Sequence, residues 1–264
     1  MVRDQVAPNS VKPTRKRKRP DQAADRLRER IVESGLQPGA RVPAEWVDPS
    51  ELGVSRGSSR EALKILEYQG LITSRTGPGG GTFVSSVRME DAIKMLDNLF
   101  LFEAPRIADI YMIRKMMEPE LAASVAGKLD AKALDALQET IRLYEDEPTN
   151  AEQEYSQRLA ELDFHSELAK ASENRVLGFI CNFMVSLLRD MTVCRDIYRA
   201  SNPDLRESGL NYQIRLMRAI RAGRADDARS IMREHMMEAE AYMLEMASIR
   251  QRGPQELNAK STEM

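Results

Sequence analysis

The sequence predicts a mainly α-helical protein with two domains: three helices and a β-hairpin come first, and an all-α bundle of six or seven helices follows. Its 264 residues exceed what one small core needs and suit two domains. Strings rich in β-branched residues flank a glycine-rich stretch near residue 80, whereas the hydrophobic spacing after Met89 is almost wholly helical. The predicted divisions are a basic, disordered arm (1–20), a first domain (21–86), a helical domain (87–250) and a polar tail (251–264).

The first domain is predicted to begin with two helices. Asp21 is the expected N-cap of the first, an amphipathic helix whose apolar residues recur every three to four positions. A second, short helix is expected within 44–52, because Asp48 and Pro49 match the N-cap and the first helical position.

The third helix is capped by Ser55 or Ser58 and is expected to run to about Gln69. Two β-prone strings follow, at 71–74 and 82–85, and the glycines between them suit the tip of a hairpin. The order helix, helix, turn, helix, hairpin is that of a winged helix-turn-helix.

After residue 89 the periodicity predicts only helices. They cover 89–103, 106–128, 131–146, 151–171, 174–199, 204–222 and 225–250. Antiparallel helices of this length build a compact bundle.

Charge is divided unevenly along the chain. Residues 1–88 hold 16 Lys and Arg against 10 Asp and Glu, a net charge of +6, so the remainder carries −8 of the overall −2. Six of the nine residues from Lys12 to Pro20 are basic. Beside a DNA-binding domain such an arm adds sequence-independent attraction to phosphates, and a solvated tail is the alternative.

Composition also excludes some classes of protein. No stretch has the roughly 18 uncharged apolar residues of a membrane span, and the N-terminus lacks the apolar run of a secretory signal. Cys181 and Cys194 are too few for a disulfide scaffold and are expected to be buried thiols. These features predict a cytoplasmic protein without a membrane partner.

The candidate DNA-reading residues lie in the first turn of the third helix, which in this motif faces base edges in the major groove. Arg56 and Arg60 share one face of that turn, and arginine contacts guanine bidentately. Ser55 and Ser58 are short donors suited to phosphates. The alternative is that both arginines decorate a solvated helix face; the turn, the hairpin and the basic arm together favour DNA.

The run from residue 21 to residue 85 resembles the N-terminal domain of the GntR family of bacterial regulators. The matching strings are PGARVP (38–43), LGVSR (52–56), REAL (60–63), LE (66–67), GLI (70–72) and GGGTFV (79–84). The resemblance implies double-stranded DNA as a partner. The residues it implies as contacts are Arg56, Ser58, Arg60 and the wing glycines Gly79 and Gly80, with Arg41 at a phosphate.

The second helix departs from this family. Trp46 stands where the family has a base-contacting arginine, and Asp48 replaces a core leucine. Trp46 is expected to cover the edge of the core or to touch the DNA backbone, and the first is favoured.

The only two histidines, His165 and His235, fall on different predicted helices of the second domain. Glu161 precedes His165 by four residues, so the two side chains share a helix face. A carboxylate and two imidazoles form a plausible set of ligands for a divalent metal. Taken alone, Glu and His at this spacing more often form a surface pair.

The second domain resembles the ligand domain of the FadR subfamily. The matching features are IR (113–114), Glu118, LAA (121–123), FH (164–165), LA (168–169), Asn174, RAI (218–220), Gly223, Ala228 and His235. Many members of that subfamily hold a metal with one aspartate and three histidines. The resemblance places Glu161 at the aspartate, His165 and His235 at two histidines, and Gln213 at the third.

Gln213 leaves two outcomes open, because a neutral amide oxygen is a weak donor to zinc or nickel. A zinc- or nickel-type metal binds in an altered site that water or an effector completes, or His165, Gln213 and His235 hydrogen-bond an effector directly. The altered metal site is favoured, since both histidines remain.

Arg114 stands at a position that, by resemblance, helps to hold the carboxylate of an effector. Its planar guanidinium suits a carboxylate, and the alternative is a salt bridge with Glu118 on the next helical turn. The predicted effector class is a small organic acid, such as a hydroxy, keto or sugar acid.

Together these features predict a transcription regulator rather than an enzyme. It is expected to bind a palindromic operator as a homodimer, to repress, and to be released by its effector. One rival is a metal-dependent hydrolase or lyase. That function does not account for the winged domain, and the sequence contains no HExxH motif. Another is a nucleoid-binding protein, which would bind DNA without sequence preference.

Overall fold

The computed structural model describes residues 18–143, 146–200 and 202–257. The predicted basic arm up to residue 17 and the predicted tail from residue 258 lie outside them. Two compact units divide the chain, at residues 1–92 and 93–264. The described residues form ten α-helices and one two-stranded hairpin, so the protein is mainly α-helical as predicted.

The first unit is a winged helix-turn-helix, which confirms the predicted fold. Its elements are α1 (Arg19–Glu33), a 3-10 helix (Ala44–Val47), α2 (Arg56–Tyr68), β1 (Ile72–Arg75) and β2 (Gly81–Val84). The two strands pair antiparallel, with Ile72 opposite Val84 and Arg75 opposite Gly81. The core of this unit lies between α1, α2 and the base of the hairpin, and includes Leu27, Ile31 and Leu66.

Two predicted N-caps in this unit, Asp21 and Asp48, are wrong, although a short second helix lies within its predicted bounds. The N-cap of α1 is Lys18, and Asp21 lies at the third helical position, where its carboxylate accepts the Lys18 N–H at 3.2 Å. The second helix is reduced to the 3-10 helix and one further turn, in which the Leu52 N–H donates to the Asp48 carbonyl at 3.0 Å. Asp48 precedes Pro49, and a residue before proline avoids the helical region, so Asp48 is extended at ψ 134°.

The second unit is all-helical, with more α-helices than the six or seven predicted. After the hairpin the described residues form α3 (Met89–Asp97), a 3-10 helix (Asn98–Phe100), α4 (Ile107–Val125), α5 (Ala131–Arg142), α6 (Ala151–Lys170), α7 (Arg175–Asp190), α8 (Thr192–Arg199), α9 (Pro203–Arg221) and α10 (Ala225–Leu257). Helix α10 continues to Leu257, well into the region predicted as a polar tail from residue 251.

The predicted helix 174–199 is two helices. Met191 adopts an extended conformation with ψ 126°, and α7 and α8 meet there at a bend of 72°. The bend lets residues of both helices, such as Leu188 and Ile197, enter one buried cluster. No single described helix is long and apolar enough to cross a membrane, although α7 and α8 together satisfy the criteria of length and composition.

Two apolar clusters form the core of the helical unit. One joins α4, α5, α6, α7, α9 and α10 through residues such as Leu121, Phe164 and Met232. The other joins α4, α6, α7, α8 and α10 through residues such as Tyr111, Leu188 and Met243. Since α4, α6 and α10 contribute to both clusters, polar side chains on these three helices are held within a well-packed interior.

Candidate functional site

The exposed face of α2 carries the predicted DNA-reading residues. Ser55 is the N-cap of α2, and its side chain accepts the Ser58 N–H at 3.2 Å. Arg56 and Arg60 are exposed on the first turn and the next. The serines therefore fix the start of the helix, and the guanidinium groups remain available to a partner.

The buried side of α2 contacts the 3-10 helix that stands in place of the second helix. Ser59 is buried, and its hydroxyl donates to the Val47 carbonyl at 3.0 Å, which ties α2 to the 3-10 helix. Trp46 packs against the core of the unit, with the Arg30 guanidinium 4.5 Å from the centre of its ring. The structure therefore places Trp46 at the edge of the core, the role that the sequence favoured.

The wing, which is the hairpin of β1 and β2 with its tip at 76–80, contains close backbone contacts that only glycine permits. A Cβ on Gly80 would lie 2.5 Å from the Arg75 carbonyl oxygen, and Gly79 has a positive φ of 77°. Arg41 does not extend freely into solvent: its Nη2 donates to the Gly80 carbonyl at 2.6 Å. The exposed Arg75, at the end of β1, has its guanidinium 4.8 Å from the centre of the Phe83 ring.

A buried polar centre lies in the helical unit. The sequence-predicted residues of this centre come from four helices: Arg114 from α4, Glu161 and His165 from α6, Gln213 from α9, and His235 from α10. Arg114, His165, Gln213 and His235 are buried, and Glu161 is partly buried. The pairing of Glu161 with His165 is therefore no surface pair.

Three potential metal ligands converge in this centre. The Nε2 atoms of His165 and His235 are 3.2 Å apart, and His235 Nε2 is 3.3 Å from Glu161 Oε1. One ligand atom from each of the three residues lies within 4.8 Å of the others. Three electron-pair donors this close are typical of residues that share a cation.

Glu118 connects two of these residues and was not predicted as part of the site. Its Oε2 lies 2.5 Å from His165 Nδ1, and its Oε1 accepts a hydrogen bond from Arg114 Nε. A carboxylate that accepts a hydrogen bond from Nδ1 selects the tautomer with a proton on that nitrogen, which leaves Nε2, on the side of His235 and Glu161, as the atom of His165 suited to bind a metal. The salt bridge of Arg114 with Glu118, raised as an alternative from the sequence, is present.

Burial and neighbouring charges set the protonation of the centre. Desolvation opposes the charge of Glu118, but Arg114 and His165 outweigh it and lower the pKa of that carboxyl to about 2. Burial raises the pKa of Glu161. Burial, with the nearby His165 and Arg114, holds the pKa of His235 well below its usual 6.5, which keeps this imidazole neutral and able to bind a metal.

Among the described residues, three buried atoms of this centre find no hydrogen-bond partner: Arg114 Nη2 and both amide atoms of Gln213. Gln213 also lines a small cavity with His165, His235 and Tyr212. Buried polar atoms without partners are costly and usually mark a missing water, ion or ligand. A carboxylate, two imidazoles of which His165 is oriented by Glu118, and the unpartnered amide of Gln213 together fit a divalent cation.

Comparisons with known families match both units. The family described as "Bacterial regulatory proteins, gntR family" matches residues 20–84, and the FCD domain matches residues 109–238. Both matches agree with the resemblances seen in the sequence.

Individual relatives agree with these families. The chain is 31% identical to the putative L-lactate dehydrogenase operon regulatory protein of Escherichia coli over 82% of this chain and 83% of that protein. It is 26% identical to the transcriptional regulator LutR of Bacillus subtilis over 80% of this chain and 94% of that protein. Among solved structures, a GntR protein of Streptococcus agalactiae superimposes with a TM-score of 0.59 at 25% identity and covers 84% of this chain and 99% of that one.

Proposed function

Because this chain belongs to the GntR family of DNA-binding transcriptional regulators and carries an FCD domain, we propose that it is a repressor that a small organic acid releases from its operator. Its domains and relatives are those of regulators, not of enzymes. The observation that carries the proposal is the set of three buried polar atoms without partners, in the domain that follows the DNA-binding unit. An operator on the chromosome implies action in the cytoplasm.

The proposed DNA contacts start from the α2 face. Arg56 and Arg60 contact base edges in the major groove, while Ser55 and Ser58 bind phosphates at the start of the helix. Gly79 and Gly80 bring the wing backbone close to DNA. Arg41 braces the wing through Gly80 and presents its remaining donors to a phosphate.

The chain is proposed to act as a homodimer on a palindromic operator, since two copies related by a two-fold axis present one α2 to each half-site. The polar centre receives the acid. Arg114 keeps Nη2 free while Nε is bound to Glu118, so one side of its guanidinium is available to a carboxylate. A divalent cation held by Glu161, His165 and His235 would supply a second positive charge for that carboxylate.

One relative suggests which acids to test first. The name of the Escherichia coli protein associates it with an L-lactate dehydrogenase operon, so small hydroxy acids precede keto and sugar acids in the panel.

DNA binding is tested on the full chain with its own upstream region, at one fixed salt concentration, against a shuffled duplex of equal length. Replacing Arg56 and Arg60 by alanine is expected to lower operator affinity roughly tenfold or more for each residue, because a bidentate base contact is worth about 1–3 kcal/mol. Arg142→Ala removes an exposed arginine from α5 of the other unit and serves as the charge control. If the double α2 variant still prefers the operator over the shuffled duplex, the proposed reading face is wrong.

Effector binding is tested by the shift in thermal unfolding that each acid produces. Arg114→Lys keeps the positive charge but loses the planar guanidinium, so it is expected to reduce the shift caused by the active acid. In the repressor model the same acid lowers operator affinity. An acid that tightens operator binding would overturn release, and the absence of any active acid in metal-loaded protein would overturn the effector site.

A further inference from the structure

Gln213 is the one residue of the polar centre whose side chain has no partner at either end. It is 2% exposed, and neither its amide oxygen nor its amide nitrogen forms a hydrogen bond with any described residue. Leaving both groups unsatisfied is unfavourable, because each has given up its hydrogen bonds to water without a replacement. No described residue fills this role, which leaves the amide available to a ligand.

The surroundings of Gln213 limit what that partner is. The cavity beside it has room for little more than a single water molecule and is otherwise lined by apolar residues such as Leu216, Ile231 and Met232. An organic acid does not fit into that space, so the acid of the proposed function is placed elsewhere in the centre, beside Arg114, which does not line this cavity. A cation at the convergence of His165 and His235, which line the same cavity, is small enough.

An amide oxygen from Gln213 changes the chemistry of the set of metal ligands. With Glu161, His165 and His235, the amide oxygen of Gln213 makes a set of two nitrogen and two oxygen donors. Imidazole suits zinc and nickel, whereas carbonyl and carboxylate oxygens suit manganese. An amide in place of a third imidazole therefore removes more affinity for Zn²⁺ than for Mn²⁺.

We infer that Gln213 binds the cation through its amide oxygen. It thereby lowers the ratio of the site's affinity for Zn²⁺ or Ni²⁺ to its affinity for Mn²⁺. The inference rests on the metal site of the proposed function. It extends that function because it assigns a ligand role to Gln213 and a direction to the metal preference.

The test measures the dissociation constants of Mn²⁺ and Zn²⁺ for metal-free full-length protein, by competition with a chromophoric chelator. Gln213→His supplies a third imidazole, so the ratio of Zn²⁺ affinity to Mn²⁺ affinity is expected to rise about tenfold or more. Gln213→Glu keeps an oxygen donor of nearly the same size and adds a charge, so it is expected to increase Mn²⁺ affinity. The electron paramagnetic resonance signal of bound Mn²⁺ gives a second readout.

Two controls separate the possible failures. Gln138→His places a new histidine on α5, where Gln138 accepts a hydrogen bond from Arg221, and should leave the metal ratio unchanged. His165→Ala should abolish binding of both metals. If wild-type protein binds neither metal at this centre, the metal site of the proposed function is wrong. If it binds both but neither Gln213→His nor Gln213→Glu changes the constants, only the role given to Gln213 is overturned.

Discussion

Glu118 is a buried carboxylate that links two residues of the polar centre. It is fully buried, and its two carboxylate oxygens contact different cationic or proton-donating partners, Arg114 and His165. An ionised carboxylate is tolerated there because both oxygens are satisfied by donors. Glu118 therefore has two roles: it neutralises a buried guanidinium and it orients a candidate metal ligand.

Replacing Glu118 by glutamine tests both roles. The amide removes the charge that balances Arg114, so we expect the free energy of unfolding of the helical unit to fall by about 3–5 kcal/mol. It also removes the carboxylate that holds the Nδ1 proton of His165, so metal affinity should fall about 10–100-fold. Chemical denaturation followed by circular dichroism and chelator competition measure the two effects.

Glu120→Gln is the matched control for that experiment. Glu120 lies on the same helix and also pairs with an arginine, Arg229, but this pair is exposed. Exposed pairs contribute about 0–1 kcal/mol, so the control should change stability little and metal affinity not at all. Equal losses in the two variants would show that Glu118 has no special role.

The residues of this site differ in how far the sequence could predict them. The spacing of Glu161 and His165 on one helix face is a local property, and resemblance brought His235 and Gln213 into the same set. The contact between Glu118 and His165 joins residues 47 positions apart, and no local pattern encodes it. The pairing of Glu118 with Arg114 is visible as a four-residue spacing, but that spacing gives no sign that the pair is buried.

At the scale of elements, the crossing of α6 and α7 depends on one glycine. A Cβ on Gly178 would lie 2.4 Å from the carbonyl oxygen of Ala169, a backbone atom near the end of α6. Gly178 lies near the start of α7, whose N-cap is Asn174. The absence of a side chain at Gly178 lets the start of α7 pass close to the end of α6.

Gly178→Ala is therefore expected to lower the free energy of unfolding by about 1–3 kcal/mol, because the backbone must move to relieve the contact. Helix propensity alone predicts the opposite sign, since alanine is favoured over glycine in helices by about 0.5–1 kcal/mol. Gly57→Ala in α2 is the control: the nearest atom to its Cβ would be Ser55 Oγ at 3.9 Å. A neutral or stabilising effect at Gly178 would refute the packing argument.

Element boundaries follow the sequence where local chemistry decides them. Ser55, Asp130 and Asn150 each cap a helix through a side-chain hydrogen bond, as residues of these types commonly do. The sequence at the Met191 bend contains no proline or glycine that would predict a break. The bend is stabilised by the burial of α8 against residues distant in the sequence. Tertiary packing of this kind is invisible to a periodicity argument.

At the scale of the whole molecule, regulation requires that the acid and the operator influence one another through the protein. If the acid binds one arrangement of the dimer and the operator binds another, each ligand shifts the same equilibrium. The factor by which the acid weakens operator binding must then equal the factor by which the operator weakens acid binding.

The size and direction of this coupling is the prediction that tests the proposed regulator at the scale of the whole molecule. Operator affinity measured with and without saturating acid is expected to change by about 5–150-fold, the usual range of such couplings. Acid affinity, measured by calorimetry on free protein and on the operator complex, should change by the same factor. Arg114→Lys should reduce acid affinity in both states yet leave operator affinity without acid unchanged, because Arg114 lies in the helical unit and not in the DNA-binding one. A factor of one in both measurements would overturn regulation by this acid, whereas unequal factors would show that the two measurements did not follow the same equilibrium, because linkage makes them equal for any mechanism.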